Sequence, residues 1–316
     1  MAVLRENERY YSLNQYLKQT YGEKFYKVSL DAGMTCPNRD GTLGSRGCIF
    51  CSAGGSGDFA ADRHLSVTEQ IEQGKARVAK KYAGSSYIAY FQAYTNTYAP
   101  AARLREIFTE ALRHPDIRIL DIATRPDCLG PDVLELLTEL NRIKPVWVEL
   151  GLQTIHPETA AFIRRGYDLP VFGEAVRNLR ARRIPVIVHT ILGLPGETLE
   201  DQLATVRYLN TLDIQGVKFQ LLHILKHTDL ALYYQEHPFF LPDMEAYFHL
   251  LGRCLGILRP DIVVHRLTGD GPKSLLIAPL WTGNKRQVLN HLRAYLKAHD
   301  IWQGKESEYG QTSQII

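Results

Sequence analysis

The sequence contains 316 residues, 45% of them hydrophobic and 22% charged, which indicates a folded soluble protein and excludes a disordered chain. Its net charge of +3 allows a nucleic-acid partner without requiring one. No apolar run is as long as a membrane helix, and no signal-peptide core follows the N-terminus. Five cysteines, an odd number, do not suit a secreted disulfide framework. We therefore expect a cytoplasmic protein with no membrane partner.

The chain begins with a segment, residues 1–24, that we predict to be helical. Its apolar and aromatic side chains recur at helical spacing, as in Tyr10, Leu13 and Leu17. A short apolar strand follows at about residues 25–30 and leads into a loop rich in glycine, asparagine and aspartate. This loop contains three of the five cysteines and is the first candidate site.

The cysteine loop runs from Cys36 to Cys51 and ends in a Cys-x-x-C pair formed by Cys48 and Cys51. Three thiolates are one too few for a closed structural zinc site, which has four protein ligands. They are the right number for an iron–sulfur cubane with one iron left open to another ligand. The alternative is a zinc-binding interaction module in which a histidine such as His64 supplies the fourth ligand.

Strands and helices then alternate at intervals of roughly 30 residues, the length of one βα unit. The first helix of this series is predicted over residues 66–82, with Ser66 and Glu69 forming a capping box at its start. The predicted strands cover residues 86–94, 117–124, 145–153, 184–194, 214–225 and 261–267.

Strands rich in valine and isoleucine and joined by helices predict a parallel sheet with helices on its faces. An open doubly wound sheet is the competing architecture, but no Gly-x-Gly-x-x-Gly or phosphate-loop motif follows any strand. We therefore predict an α/β fold: a partial (βα)6-type TIM barrel over residues 25–258, with the N-terminal helix and a C-terminal extension, 259–316, packed on it. The tail from Gln303 is expected to be frayed.

Polar residues gather where the predicted strands end, which is where βα barrels place their active sites. Such groups are costly in apolar strands unless they are paired or used. Taken singly, each is explained as well by a satisfied core group, a helix cap or a turn, but together they predict one lined cavity. The strand-end residues are Gln92, Tyr94, Thr95, Asn96, Thr97, Thr124, Arg125, Glu149, Gln153, His189, Gly193, Leu194, Lys218, His223, Lys226, His265 and Arg266.

Six segments carry a family resemblance: KVSLDAGMTCPNRDGTLGSRGCIFC, YFQAYTNTYAP, ATRPDCL, VELGLQTIHPET, HTILGLPGET and HRLTGDGPKSLLIAPLW. Together they resemble the radical S-adenosylmethionine (SAM) superfamily and, more narrowly, its YhcC/YtqA group, whose Gram-positive members are also called MnmL. The TRPD and ELGLQT motifs are similar to those of elongator-type enzymes that modify wobble uridine in tRNA. One departure is that eleven residues separate Cys36 from Cys48, where the commonest superfamily spacing has three.

The resemblance implies a [4Fe–4S] cluster bound by Cys36, Cys48 and Cys51, with SAM on the fourth iron as the source of a 5′-deoxyadenosyl radical. Phe50 matches the position that packs on adenine. His189 stands where the superfamily pattern has glycine. Further SAM contacts are implied for Gln92, Tyr94, Thr95, Asn96, Thr97, Thr124, Glu149, Gln153, Ile191, Gly193 and Leu194.

The resemblance also implies a tRNA substrate, in which wobble 5-carboxymethylaminomethyluridine loses its carboxymethyl group and becomes 5-aminomethyluridine. Our mechanistic hypothesis is hydrogen abstraction from the CH₂ beside the amine and carboxylate, followed by C–N cleavage. A reductant such as flavodoxin or ferredoxin is implied, and a downstream tRNA methyltransferase is a candidate partner. The alternative is a radical SAM enzyme that acts on a small metabolite or peptide. The candidate substrate-binding residues are Arg125, His189, Lys218, His223, Lys226, His265 and Arg266.

Two cysteines, Cys128 and Cys254, match no ligand position, so we expect no second cluster and interpret both as small buried residues. The surface that would bind RNA is weakly marked, because basic runs on helices are usually solvated faces. The candidate basic residues are Lys75, Arg77, Lys80 and Lys81 on one helix and Arg177, Arg180, Arg182 and Arg183 in and after another.

Overall fold

The structure, a computed structural model, describes residues 8–308 apart from residues 56, 81, 83 and 270. Lys81, the first seven residues of the predicted N-terminal helix and the end of the predicted tail therefore lie outside the described residues. The helices are α1 (Leu13–Tyr21), α2 (Val67–Val78), α3 (Ala101–Arg113), α4 (Pro131–Asn141), α5 (Pro157–Phe162), α6 (Leu169–Ala181), α7 (Leu199–Asn210), α8 (Asp229–Glu236), α9 (Met244–Ile257) and α10 (Lys285–Ala298). The strands are β1 (Tyr26–Leu30), β2 (Tyr87–Phe91), β3 (Ile117–Thr124), β4 (Val146–Gln153), β5 (Val186–Leu192), β6 (Gly216–Leu221), β7 (Ile224–Leu225), β8 (Val263–Arg266) and β9 (Leu276–Ala278).

Seven of the strands form one sheet in the order β1-β2-β3-β4-β5-β6-β8. The pairs β1–β2, β2–β3, β3–β4 and β6–β8 run parallel, and their order in the sheet follows their order in the chain. This is a curled, seven-stranded parallel half-barrel, so the predicted α/β fold and partial TIM barrel are confirmed. In such a sheet, residues at the carboxyl ends of the strands are the ones available to build a site.

Local sequence explains where these elements begin and why they are buried. Every side chain of β2 is buried, as expected for a parallel strand covered on both faces. The predicted capping box at α2 is confirmed: the Ser66 hydroxyl accepts from the backbone N–H of Glu69, and the Glu69 carboxylate accepts from the backbone N–H of Ser66. Thr198 and Asp201 form the same arrangement at the start of α7.

The chain divides into two compact units. The first unit contains residues 17–151 and 164–187, and its core includes Phe91 and Phe108, whose ring centroids lie 5.2 Å apart. The second unit contains the described residues up to Tyr16, residues 152–163 and the chain from Val188 onward, with Phe219 and Tyr247 fully buried in its core. The domain boundaries predicted after residues 24 and 258 stay predictions.

Two expectations from the sequence were wrong. The strand predicted over residues 214–225 ends at Leu221, and β7 instead pairs antiparallel with β9 in a separate two-stranded sheet. The chain is not frayed from Gln303, whose side chain is 2% exposed and donates to the carbonyl oxygens of Arg259 and Ile262, each at 2.7 Å. A buried amide needs such partners, and here they fix the terminal segment.

Among the described residues, none of the helices combines the length and hydropathy needed to cross a bilayer.

Candidate functional site

The cysteine loop of the first unit is folded by its own backbone. The N–H groups of Arg39 and Asp40 donate to the carbonyl oxygen of Cys36 at 2.8 and 3.2 Å. The N–H of Gly47 donates to the carbonyl of Asn38 at 2.7 Å, and Cys51 N–H donates to the Cys48 carbonyl at 3.0 Å. The long insertion between the first two cysteines is therefore taken up in consecutive turns, which explains how a wide spacing still forms one site.

The two sulfurs of the Cys-x-x-C pair interact directly. The Cys51 thiol donates to the Cys48 sulfur, and this bond, together with Asn38 and the charges of Arg125 and Arg39, lowers the pKa of Cys48 to about 7 against the opposing effect of burial. The same bond and burial raise the pKa of Cys51. The loop thus favours a thiolate at Cys48, and a thiolate is the form that binds iron.

Asn38 and Arg39 attach the cysteine loop to its surroundings. The Asn38 side-chain amide donates to the Arg164 carbonyl at 2.7 Å and to the Cys48 sulfur at 3.5 Å. Arg39 donates to the carbonyl of Ser52 at 2.6 Å and places its charge beside the cysteines. Sequence reasoning missed both residues, although an amide and a cation inside a cysteine loop are a usable signal.

The segment after β2 adopts a backbone conformation that is uncommon for residues other than glycine. Tyr94 has a φ of 60°, and its hydroxyl donates to the Ala53 carbonyl at 2.5 Å. The guanidinium groups of Arg39 and Arg63 lie 5.6 and 5.2 Å from the centroid of its ring. Tyr94 therefore ties the end of β2 to the segment that follows the last cysteine.

Three of the predicted SAM contacts at this edge also link neighbouring strand ends. The Thr97 and Thr124 hydroxyls lie 2.6 Å apart, and both side chains are buried. The Asn96 amide donates to the carbonyls of Phe91 and Ala123 at 3.0 and 2.9 Å. These hydrogen bonds hold β2 and β3 together. The contacts with SAM that the sequence predicts for Asn96, Thr97 and Thr124 stay predictions. Thr95 is buried beside them, whereas Gln92 and Phe50 are half-buried.

Arg125 lies close to the cysteines but is largely committed to protein partners. Its guanidinium makes a bidentate pair with Asp127 at 2.9 and 2.7 Å, donates to the Arg165 carbonyl at 2.8 Å and lies over the Tyr167 ring. Only 9% of Arg125 is exposed, so these partners fix the position of its charge beside the cysteine loop. The role in binding substrate predicted for it stays untested.

Glu149, predicted as a SAM contact, instead forms part of a buried charge triad with Lys27 and Asp121. The Lys27 ammonium donates to the Glu149 carboxylate at 2.8 Å and to the Asp121 carboxylate, and both carboxylates are fully buried. Burial alone lowers the pKa of Lys27, but attraction and hydrogen bonds from the two acids outweigh it and raise the pKa. Glu149 therefore compensates Lys27, and its predicted contact with SAM stays a prediction.

In the second unit, β4 ends at a residue with an uncommon backbone conformation, and β5 is followed by a hydrogen-bonded glycine. Gln153 ends β4 with a φ of 62°, and backbone strain of this kind clusters at functional sites. Gly193 follows β5 with a φ of 80°, and its N–H donates to the Gln202 side chain at 2.8 Å. Ile191 and Leu194 are buried on either side of Gly193, as an apolar wall requires.

Two cations are paired across the adjacent strands β6 and β8, Lys218 within β6 and Arg266 at the end of β8. Lys218 and Arg266 are register partners on these adjacent parallel strands. Arg266 donates to the Gln220 side chain at 3.4 Å, and Lys218 is 3% exposed. His189 on β5 is half-buried, and the carbonyl of Lys218 accepts from the neighbouring Thr190 at 3.3 Å. The roles in binding substrate that were predicted for Lys218, Arg266 and His189 stay predictions.

The other candidate residues of the second unit are placed differently. His265, the penultimate residue of β8, bonds to the Gln215 side chain at 2.9 Å, just before the beginning of β6. His223 is buried and bonds to the Thr282 hydroxyl at 3.0 Å, whereas Lys226 is exposed. The register between β6 and β8 is irregular after Val217, and the roles predicted for these three residues stay predictions.

A pocket of about 610 Å³ in the first unit contains Cys128. It is lined by the cysteine loop at Pro37 and Leu43 and by the strand ends at Thr97 and Asp127. Burial raises the pKa of the Cys128 thiol to about 12. Cys254, in contrast, is fully buried in α9, as its interpretation as a core residue requires.

Comparison with known proteins decides the family. The model of the radical SAM superfamily matches residues 41–209, and that of the radical SAM C-terminal domain matches residues 214–298. The chain belongs to the radical SAM superfamily. YtqA of Bacillus subtilis is 44% identical over 298 residues, which are 94% of this chain and 92% of YtqA; YhcC of Escherichia coli K12 is 35% identical over 286 residues, 90% and 91% of the two chains.

Among solved structures, archaeal Elp3 from Methanocaldococcus infernus, with its N-terminus deleted, superposes with a TM-score of 0.66 at 15% identity, over 88% of this chain and 64% of that one. This superposition supports a fold that this chain shares with Elp3.

The cofactors of this radical SAM protein are a [4Fe–4S] cluster and SAM. The residues present fit the cluster, because Cys36, Cys48 and Cys51 are all free thiols on one loop with two arginines beside them.

Proposed function

We propose that this radical SAM enzyme modifies the wobble uridine of tRNA and removes the carboxymethyl group from 5-carboxymethylaminomethyluridine, leaving 5-aminomethyluridine. One observation carries the proposal: parts of the chain are similar to tRNA-modifying proteins. It is 33% identical over 81 residues to tRNA uridine(34) acetyltransferase of Methanocaldococcus jannaschii, which are 26% of this chain and 14% of that protein. It is 25% identical over 179 residues to Elongator complex protein 3 of Schizosaccharomyces pombe, 55% and 32% of the two chains.

The cationic edge of the second unit supports an anionic substrate group. Lys218 and Arg266 are register partners on adjacent strands. The arginine fork can bind a carboxylate bidentately. The carboxymethyl group of the proposed substrate is such an anion. Gln220, bonded to Arg266, would hold the guanidinium in place.

When bound, the cluster and SAM supply a radical able to take a hydrogen atom from a carbon of the substrate. Cys36, Cys48 and Cys51 would hold the cluster, and Asn38 and Arg39 hold the loop in its turns. Arg266 is our candidate for binding the substrate carboxylate. We further propose a cytoplasmic location, a flavodoxin- or ferredoxin-type reductant, and a methyltransferase that acts on the exposed amine of the product.

Nucleoside analysis of tRNA from a deletion strain tests the proposal. We expect 5-carboxymethylaminomethyluridine to accumulate and to disappear when the wild-type gene is restored. Restoring Arg266→Met should leave the substrate in place, while Arg266→Lys should restore part of the activity. Lys18→Met, a change at an exposed lysine of α1, should restore all of it. Unchanged nucleosides in the deletion strain would overturn the proposal and favour a metabolite or peptide substrate.

A further inference from the structure

A buried side-chain amide lies against one of the candidate cluster ligands. The Asn38 nitrogen donates to the Cys48 sulfur at 3.5 Å and to the carbonyl oxygen of Arg164 at 2.7 Å. An asparagine amide has two N–H donors, so one can serve the carbonyl while the other serves the sulfur. Asn38 is 5% exposed, and its amide is therefore shielded from water.

The surroundings of Asn38 decide which end of its amide faces the sulfur. The nitrogen also donates to the Arg165 carbonyl at 3.4 Å, so it faces two neighbouring backbone oxygens. In the opposite orientation the amide oxygen would face these two acceptors without a hydrogen atom between them, which is unfavourable. The amide oxygen lies instead against Gly166, 2.8 Å from where a Cβ would stand. The atom beside Cys48 is therefore a donor.

The groups that orient Asn38 are themselves held in place. The Arg165 carbonyl also accepts from the buried guanidinium of Arg125 at 2.8 Å. The backbone carbonyl of Asn38 accepts at 2.7 Å from the N–H of Gly47, the residue before Cys48. Asn38 is thus joined to the Cys48 segment through its backbone as well as its side chain. A donor fixed in this way needs no reorganisation when the charge on the sulfur changes.

A donor at this place acts on the charge of the cluster. The oxidised cluster core carries two positive charges and its three thiolates carry three negative ones, so reduction adds an electron to an anion. Hydrogen bonds to the sulfurs are among the means by which proteins set the reduction potential of such clusters. An N–H directed at a ligand sulfur stabilises the more negative, reduced form more than the oxidised form, and it therefore raises the potential.

We propose that Asn38 is a positioning residue that raises the reduction potential of the cluster through its hydrogen bond to the Cys48 sulfur. The proposal goes beyond the tRNA reaction, because the cluster must be reduced whatever the substrate is. It rests on the assignment of Cys48 as a cluster ligand. Residues beside a metal ligand commonly tune a site in this way without touching the metal.

A redox titration of the reconstituted full-length protein without SAM, followed by electron paramagnetic resonance, tests the proposal. Asn38→Ala should shift the reduction equilibrium roughly three- to tenfold toward the oxidised cluster, as expected for the loss of one hydrogen bond. At about 59 mV for each factor of ten, its potential should be about 30–60 mV more negative. Asn38→Asp keeps the shape but replaces the donor by a charged acceptor, so its shift should be larger and in the same direction.

Asn141→Ala is the matched control. The Asn141 side-chain oxygen accepts at 2.9 Å from the N–H of Val146, at the amino end of β4, so this variant also loses a bond between side chain and backbone. It should lower the urea midpoint and leave the potential of the cluster unchanged. If Asn38→Ala binds the full amount of iron at the wild-type potential, Asn38 has a structural role only and the proposal is overturned. An equal shift in Asn141→Ala would overturn it as well.

A measurement on the wild type covers the case in which the Asn38 variants do not assemble a cluster. With nitrogen-15 in the asparagine side chains, the reduced cluster should show a nitrogen coupling in pulsed electron paramagnetic resonance, and its absence would refute the hydrogen bond. Cys48→Ala should lose the cluster, and an intact cluster in this variant would remove the basis of the proposal. Neither failure affects the proposed function, which the tRNA nucleosides test separately.

Discussion

Replacing Lys27 by methionine would remove the only positive member of the triad and leave the carboxylates of Asp121 and Glu149 fully buried without it. Removing one partner of a buried ion pair costs about 3–5 kcal/mol, because the remaining charge is desolvated and uncompensated. Since domains are stable by only about 5–15 kcal/mol, we expect a large shift of the urea midpoint of the cluster-free protein.

The pH dependence of this effect has a definite sign. In the wild type the raised pKa of Lys27 means that its contribution is fully present below the unfolded value of 10.5 and is lost as the pH rises through the folded value. In the variant, protonation of the buried acids relieves the repulsion, so the deficit should shrink as the pH falls toward about 5.

A compensated variant separates the effect of charge from the effect of packing. Lys27→Met combined with Asp121→Asn and Glu149→Gln leaves no charge on the triad and should recover most of the free energy of unfolding. A deficit for Lys27→Met below about 1 kcal/mol at pH 7, or one that the triple variant does not reduce, would refute the electrostatic account of the triad.

Further predictions concern the cluster loop and one helix cap. Cys36→Ala should lose bound iron and the absorbance near ~400 nm after anaerobic reconstitution, whereas Cys128→Ala should keep both, and equal losses would contradict the ligand assignment. Gly166→Ala should destabilise the protein by about 1–2 kcal/mol, because φ is 81° there and the new Cβ would lie 2.8 Å from the Asn38 side-chain oxygen; an unchanged melting temperature would count against it. Thr198→Ala should cost about 1 kcal/mol through loss of the α7 capping box, measured by urea unfolding, and Thr198→Ser should be neutral.

The cysteine loop shows how the two levels of information combine. Its three cysteines were identifiable in the sequence because their residue type and number limit the metals that they can bind. Asn38 and Arg39 were missed, because their partners, the carbonyls of Arg164 and Ser52, are backbone atoms that any residue could supply. The sequence contains no sign of which carbonyl will lie nearby.

The sequence by itself determined the α/β class, the order of strands and helices, the cysteine loop and the capping box of α2. These follow from patterns within a few tens of residues, where periodicity and capping act. Only the tertiary structure decided that Glu149 compensates Lys27, that Arg125 holds Asp127 and the Arg165 carbonyl, and that His265 bonds to Gln215. Lys27 and Glu149 lie 122 residues apart in the chain, and the choice of partner for a buried charge depends on which strands become neighbours in the sheet.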